Sequence, residues 1–203
     1  MASPTAPTRS TLDRLVAAAA AITCESGWSA VTMGKVAERA GVSRQTVYNE
    51  AGSKSGLGQS MVLTELVRFL AVVEEELDGQ DEIVVAVERA TRRILVMAAD
   101  NRLLRAVLSA AHGTSQGLEQ GASNDLLPFL TTDAGPLMEA AKAVIAARIP
   151  SRFPGLDLPA ERLDGAVDAI VRLVLSHVMQ PGGNPEAVAR DVAWIAGRVF
   201  GQT

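Results

Sequence analysis

Residues 31–57, VTMGKVAERAGVSRQTVYNEAGSKSGL, limit what this chain can fold into more than any other stretch. Thr32 has a side chain suited to capping a helix, and Val36, Ala37 and Ala40 then fall three and four apart, which gives one apolar face. Gly41 ends that helix, because glycine takes up positive φ without a steric penalty. Val42 fills the corner between two helices, and Ser43 caps the second. That helix turns Val47 and part of Tyr48 inward and leaves Arg44, Gln45, Thr46 and Asn49 on its exposed N-terminal side. Ser53 and Lys54 then start a longer helix. Two short helices around a tight glycine turn, with polar and basic residues leading the second, are suited to placing a helix in a DNA major groove.

With the helix before it, this stretch resembles the N-terminal domain of the tetracycline-repressor (TetR-like) family of bacterial one-component regulators. The matching residues are an amphipathic helix over about 10–26, Gly27-Trp28, Val31-Thr32, Val36-Ala37, Ala40-Gly41-Val42-Ser43, Thr46-Val47-Tyr48, Ser53-Lys54 and Leu57. The resemblance implies that Tyr48 and Lys54 contact DNA phosphates. Together with the exposed residues it makes Lys35, Arg44, Gln45, Thr46, Tyr48, Asn49 and Lys54 the candidate DNA contacts. Two positions depart from the family pattern: Ala51 and Gly52 stand where an aromatic residue and a proline are usual. Glu50, at an often basic or aromatic position, would repel a phosphate or accept from a cytosine amino group.

The charge distribution agrees with a reading head on a separate body. The chain has 203 residues and a net charge of −4, which argues against a general polyanion binder. Residues 1–57 carry six Arg and Lys against four acids, a net +2, while the remainder carries 13 against 19, a net −6. The hydrophobic share is 48% with only 3% aromatic, an Ala-, Val- and Leu-rich mixture that favours helices over a β-sandwich. The predicted fold is all-α: a three-helix helix-turn-helix domain over 1–56 and a helical effector-binding and dimerisation domain over 57–203.

The helices of the second part follow from apolar spacing. Residues 1–9 read as a loose arm. Leu57, Met61, Leu63, Val67, Leu70, Val73 and Leu77 sustain one long helix up to Gly79. Further helices are predicted over about 81–99 and 103–111, then a Gly- and Ser-rich loop at 113–123 and helical pieces near 124–131 and 136–149. A loop over 150–159 precedes a long helix through Leu163, Val167, Ile170, Val174 and Val178. Pro181-Gly182-Gly183 breaks it, and Asn184-Pro185 opens the last helix. Both final helices carry surplus apolar surface: Ala166, Ala169, Leu173 and His177 on one, Ala187 and Trp194 on the other. The TetR-like resemblance implies that they form a four-helix bundle in a homodimer.

Catalytic chemistry is thinly represented. His112 and His177 are the only histidines, no metal-ligand spacing or phosphate-binding loop is present, and the lone Cys24 excludes an intrachain disulfide. The expectation is a protein that is not an enzyme and needs no metal or cofactor. By resemblance an effector would sit between the middle helices and the penultimate one. Those segments supply Met97, Leu104, Leu108, Leu126, Phe129, Leu130, Met138, Ile145 and Leu173, with Asn101, His112 and His177 as polar anchors. Such a lining suits a hydrophobic small molecule such as a fatty-acyl chain. The start, MASPTAPTRS, lacks the apolar segment of a signal peptide, and the longest unbroken apolar run, 15–22, is too short to span a bilayer. A cytoplasmic repressor with double-stranded operator DNA as partner and no membrane attachment is therefore expected. The competing reading is a helical interaction protein that has lost specific DNA reading, for which Glu50 and Ala51 are the cues.

Overall fold

The computed structural model describes residues 10–105, 135–156 and 158–201, with only the helical backbone given for Pro136 and Leu137. Among the described residues the regular structure is helical, without strands. In chain order the helices are α1 (Thr11–Ser26), α2 (Met33–Ala40), α3 (Arg44–Ala51), α4 (Lys54–Gly79), α5 (Ile83–Asp100), α6 (Gly135–Arg152), α7 (Ala160–Met179) and α8 (Pro185–Val199). The arm at 1–9, the loop at 113–123 and the helical piece near 124–131 lie outside the described residues. Of the helix expected over 103–111, only residues up to 105 are described. Two compact units emerge, one holding residues 10–64 and 102–105, the other 65–101 and the described residues from 135 onward.

In the first unit, local chemistry sets the helix ends. Ser10 and Asp13 form a capping box: the Asp13 amide donates to Ser10 Oγ at 3.1 Å and the Ser10 amide donates to Asp13 Oδ2 at 3.0 Å. The stripe of Leu15, Val16, Ala19 and Ile22 packs against Val36 and Ala37 of α2, Val47 of α3, and Leu57 and Met61 of α4. Trp28, in a short 3-10 turn over Trp28–Ala30, is buried in the same core. Polar ties clamp the ends of α1 and α2. Arg39 grips Glu25 through two hydrogen bonds of 2.5 and 2.6 Å, and Arg14 donates to the carbonyl of Ala40. The hydrogen bond from Arg39 holds the Glu25 carboxyl below its ordinary pKa.

In the second unit α5 packs against α7 and α8. Ala86 and Ala90 on α5, and Ala189, Ala193 and Ala196 on α8, are buried. Side chains this small let two helices approach closely. Larger residues complete the core: Leu77, Ile83, Ile149, Phe153, Val167, Ile170, Val192 and Phe200. Buried charge is paired. Burial disfavours the Glu76 carboxylate, but hydrogen bonds from Arg93 at 2.6 Å and Arg89 at 2.9 Å outweigh it, and the pKa falls. Lys142, also buried, bridges Glu139 and Asp168 at 2.8 and 2.9 Å, and these bonds raise its pKa.

The loop expected from residue 150 starts later, because α6 runs through Pro150 to Arg152. Proline removes a helical hydrogen bond, and the loss is offset from outside the helix. Arg148 pairs with Asp78, while Arg152 donates to the carbonyls of Gln80 at 2.8 Å and Asp78 at 3.2 Å. Among the described residues α4 alone is long and apolar enough to cross a membrane by length and composition. Glu65 and Arg68, paired at 2.6 Å, interrupt it near the middle.

Candidate nucleic-acid interface and apolar cavity

The turn between α2 and α3 follows from its sequence residue by residue. Thr32 Oγ1 accepts from the Lys35 amide at 3.2 Å, and Gly41 takes up φ 66° and ψ 42°. At the end of α2 the Gly41 amide donates to Glu38 and the Val42 amide to Ala37. Val42 packs against the core, and Ser43 Oγ accepts from the Thr46 amide at 3.0 Å. Val47 is fully buried, so α3 is anchored by one side and shows the other.

The exposed side of α3 carries Arg44, Gln45, Asn49 and Glu50, and Tyr48 is 51% exposed. Gln45 Nε2 donates to Asn49 Oδ1 at 2.8 Å, which links two candidate readers one turn apart. Thr46 is half-buried, and its hydroxyl lies 2.9 Å from that of Ser43, within the cap itself. Lys35 is exposed on α2. Lys54 opens α4, with its ammonium 5.0 Å from the centre of the Trp28 ring. The indole thus forms a platform beneath this lysine, a contact between residues 26 positions apart that no local pattern in the sequence signals.

A cavity of about 180 Å³ opens in the second unit among α4, α5, α6, α7 and Phe200. Its walls include Leu66, Leu70 and Val73 of α4, Ala86 and Ile94 of α5, and Val171 and Val174 of α7. Thr91 is the one polar residue among the described residues that line it. Met138 and Ile145, named from the sequence, form part of the wall. Met97, Leu173 and His177 are half-buried but not part of it, and Leu173 packs on the core. Asn101 donates to Glu65 Oε2 at 2.6 Å, and Leu104 belongs to the first unit. Leu108, His112, Leu126, Phe129 and Leu130 lie outside the described residues. Helix α4 also contributes to the wall, a role that its apolar spacing alone does not specify.

Helices α7 and α8 also leave apolar surface uncovered. Trp194 is 65% exposed, with the Arg198 guanidinium 5.5 Å from its ring centre, and Ile195 and Val199 are exposed beside it. On α7 the exposed positions include the small residues Gly165, Ala169 and Ser176. Val174, by contrast, faces the chain's own cavity.

Comparison with known proteins agrees with this architecture. Residues 82–198 match the family described as the bacterial tetracyclin repressor C-terminal domain, and residues 15–61 match the bacterial regulatory proteins of the tetR family. The chain is 34% identical over 168 residues to the HTH-type transcriptional regulator AlkX of Mycobacterium tuberculosis, covering 82% of this chain and 74% of that protein. Among solved structures it is similar to the TetR family repressor AlkX of a Dietzia species, implicated in biodegradation of n-alkanes. The TM-score is 0.73 at 26% identity, over 96% of this chain and 97% of that one. A tetR-family regulator of Streptomyces coelicolor shares the fold, with a TM-score of 0.58 at 16% identity over 93% of this chain and 79% of that one. The chain therefore belongs to the TetR family of helix-turn-helix, DNA-binding transcriptional regulators.

Proposed function

We propose that this regulator is a repressor released from a palindromic operator when a hydrophobic small molecule enters the second unit. The observation that carries the reading is the cavity, whose described lining is apolar apart from Thr91. A buried charge without a partner is costly, so this wall favours a hydrocarbon segment with at most one weakly polar group. The relation to a repressor implicated in n-alkane biodegradation points the same way, towards an alkane-derived or fatty-acyl chain.

Size suggests how binding would be felt. An apolar cavity of about 150 Å³ admits benzene. The 180 Å³ here therefore holds a short hydrocarbon segment, and a longer chain needs the walls to part. Helix α4 supplies one wall through Leu66, Leu70 and Val73, and its first turns supply Leu57 and Met61 to the reading-head core. A shift of its second half would thus be carried to the head along one continuous helix. Such switching needs a ligand that binds the DNA-free conformation better than the DNA-bound one.

The proposed functional division is a reading head over 1–56 and an effector and dimer part over 57–203. Arg44, Gln45, Tyr48, Asn49, Lys35 and Lys54 face the operator, and the exposed surfaces of α7 and α8 meet their counterparts in a homodimer. The protein works in the cytoplasm, where the operator is.

Thermal denaturation of the full chain with dodecanol, dodecanoic acid or citrate tests the effector class. Ligand at a hundredfold over its Kd stabilises by about 2.7 kcal/mol, which raises Tm by about 5–10 °C for a chain of this size. The C12 compounds are expected to produce that shift and citrate none. A shift with citrate alone would contradict the apolar reading.

A further inference from the structure

Gly34 occupies the second position of α2, where most other residues would favour the helix more. Its φ is not positive, so backbone conformation does not call for glycine there. The missing side chain leaves room for a neighbour. A Cβ built at this position would lie 2.6 Å from Arg44 Nη2, 2.9 Å from Nε and 3.0 Å from Cζ. The guanidinium of the first residue of α3 therefore rests against the first turn of α2. Arg44 is exposed and makes no hydrogen bond or ion pair with any described residue, so its donors remain available.

We propose that Gly34 is a specificity-determining positioning residue: its bare Cα seats the Arg44 guanidinium so that Arg44 meets a guanine edge in the operator. The proposal rests on the reading of α3 as the major-groove helix. Residues at the N-terminal end of such a helix reach base edges, and a guanidinium donating to guanine O6 and N7 is the commonest specific contact. A free arginine side chain loses rotamer freedom when it is fixed on a base, and one already held by a neighbouring helix loses less. The same seat also restricts which base pair the guanidinium can reach. Lys35, next to Gly34 and also exposed, is available for the adjacent phosphate, a contact that carries no sequence information.

The three atoms nearest a methyl group at position 34 all belong to the flexible end of the Arg44 side chain, so Gly34→Ala separates seating from folding. A duplex is first selected from a random pool by the unmodified full chain. The unmodified protein, Gly34→Ala, Arg44→Ala and the double variant are then titrated against that duplex and its single-base variants. Gly34→Ala is expected to keep its helical content, raise Tm by about 2–4 °C through better helix propensity, and lose about tenfold in affinity. The loss should be confined to duplexes that keep the guanine read by Arg44, and the double variant should bind no more weakly than Arg44→Ala. Unchanged affinity and preference in Gly34→Ala would overturn the seat while leaving Arg44 as a reader. So would a loss that adds to that of Arg44→Ala, or a lowered Tm. If Arg44→Ala itself bound every duplex as the unmodified protein does, the contact assignment on α3 would fail and the seat with it.

Discussion

Ile195→Lys is expected to leave the chain folded but convert it to a monomer at micromolar concentration, with operator affinity reduced by about a hundredfold or more. Ile195 lies on α8 beside Trp194 and Val199, on a face that the chain's own core leaves exposed. A lysine there suits the isolated subunit. Asp191 precedes it by one turn, and a cation near a helix C-terminus interacts favourably with the helix dipole. In a two-fold dimer the same patch is buried on both subunits, so both charges lose water at one contact. The cost is on the order of 3 kcal/mol, about two decades in the dimer dissociation constant. Operator affinity falls with it, because a monomer holds one reading head where a palindrome needs two. Sedimentation and circular dichroism measure the two halves of this expectation. A stable dimer with unchanged operator binding would place the interface elsewhere, and loss of helix content would make Ile195 part of the subunit's own core.

Val174→Phe is expected to abolish the response to apolar ligand while leaving operator affinity within about twofold. Val174 lines the cavity from α7, so the larger ring occupies space that a ligand would use. Overpacking into a solid core would destabilise by about 1–3 kcal/mol, but the existing space lets the ring enter without that strain. Tm without ligand should therefore stay level or rise, and the ligand-dependent shift should disappear. A variant that still responds fully to dodecanol would mean that the effector binds outside this cavity.

What could be read from the chain depended on how local its cause was. The turn between α2 and α3 was legible because Thr32, Gly41 and Ser43 act within three or four residues of themselves. The passage of α6 through Pro150 was not, because the arginines that stabilise it bind residues about 70 positions earlier. Apolar periodicity showed that α7 and α8 had more hydrophobic surface than one partner requires. It could not say which stripe faces inward: Val174 meets the cavity, whereas Ile195 meets solvent. The spacing in α4 predicts one long helix but not the wall formed by Leu66, Leu70 and Val73, since period alone does not reveal an empty space on one side. The rest of Arg44 on Gly34 is likewise a contact between two helices, and the only trace in the sequence is a glycine where the helix does not need one.

Fluorescence anisotropy of the selected operator duplex, titrated with the full chain in the presence of increasing dodecanol or dodecanoic acid, tests whether ligand in the cavity releases DNA. Apparent operator affinity is expected to fall at least tenfold as ligand saturates, in step with the rise in Tm, and Val174→Phe is expected to stay bound throughout. Ligand that raises Tm but leaves operator affinity unchanged would contradict this expectation, because the cavity would then be occupied without acting on the reading head.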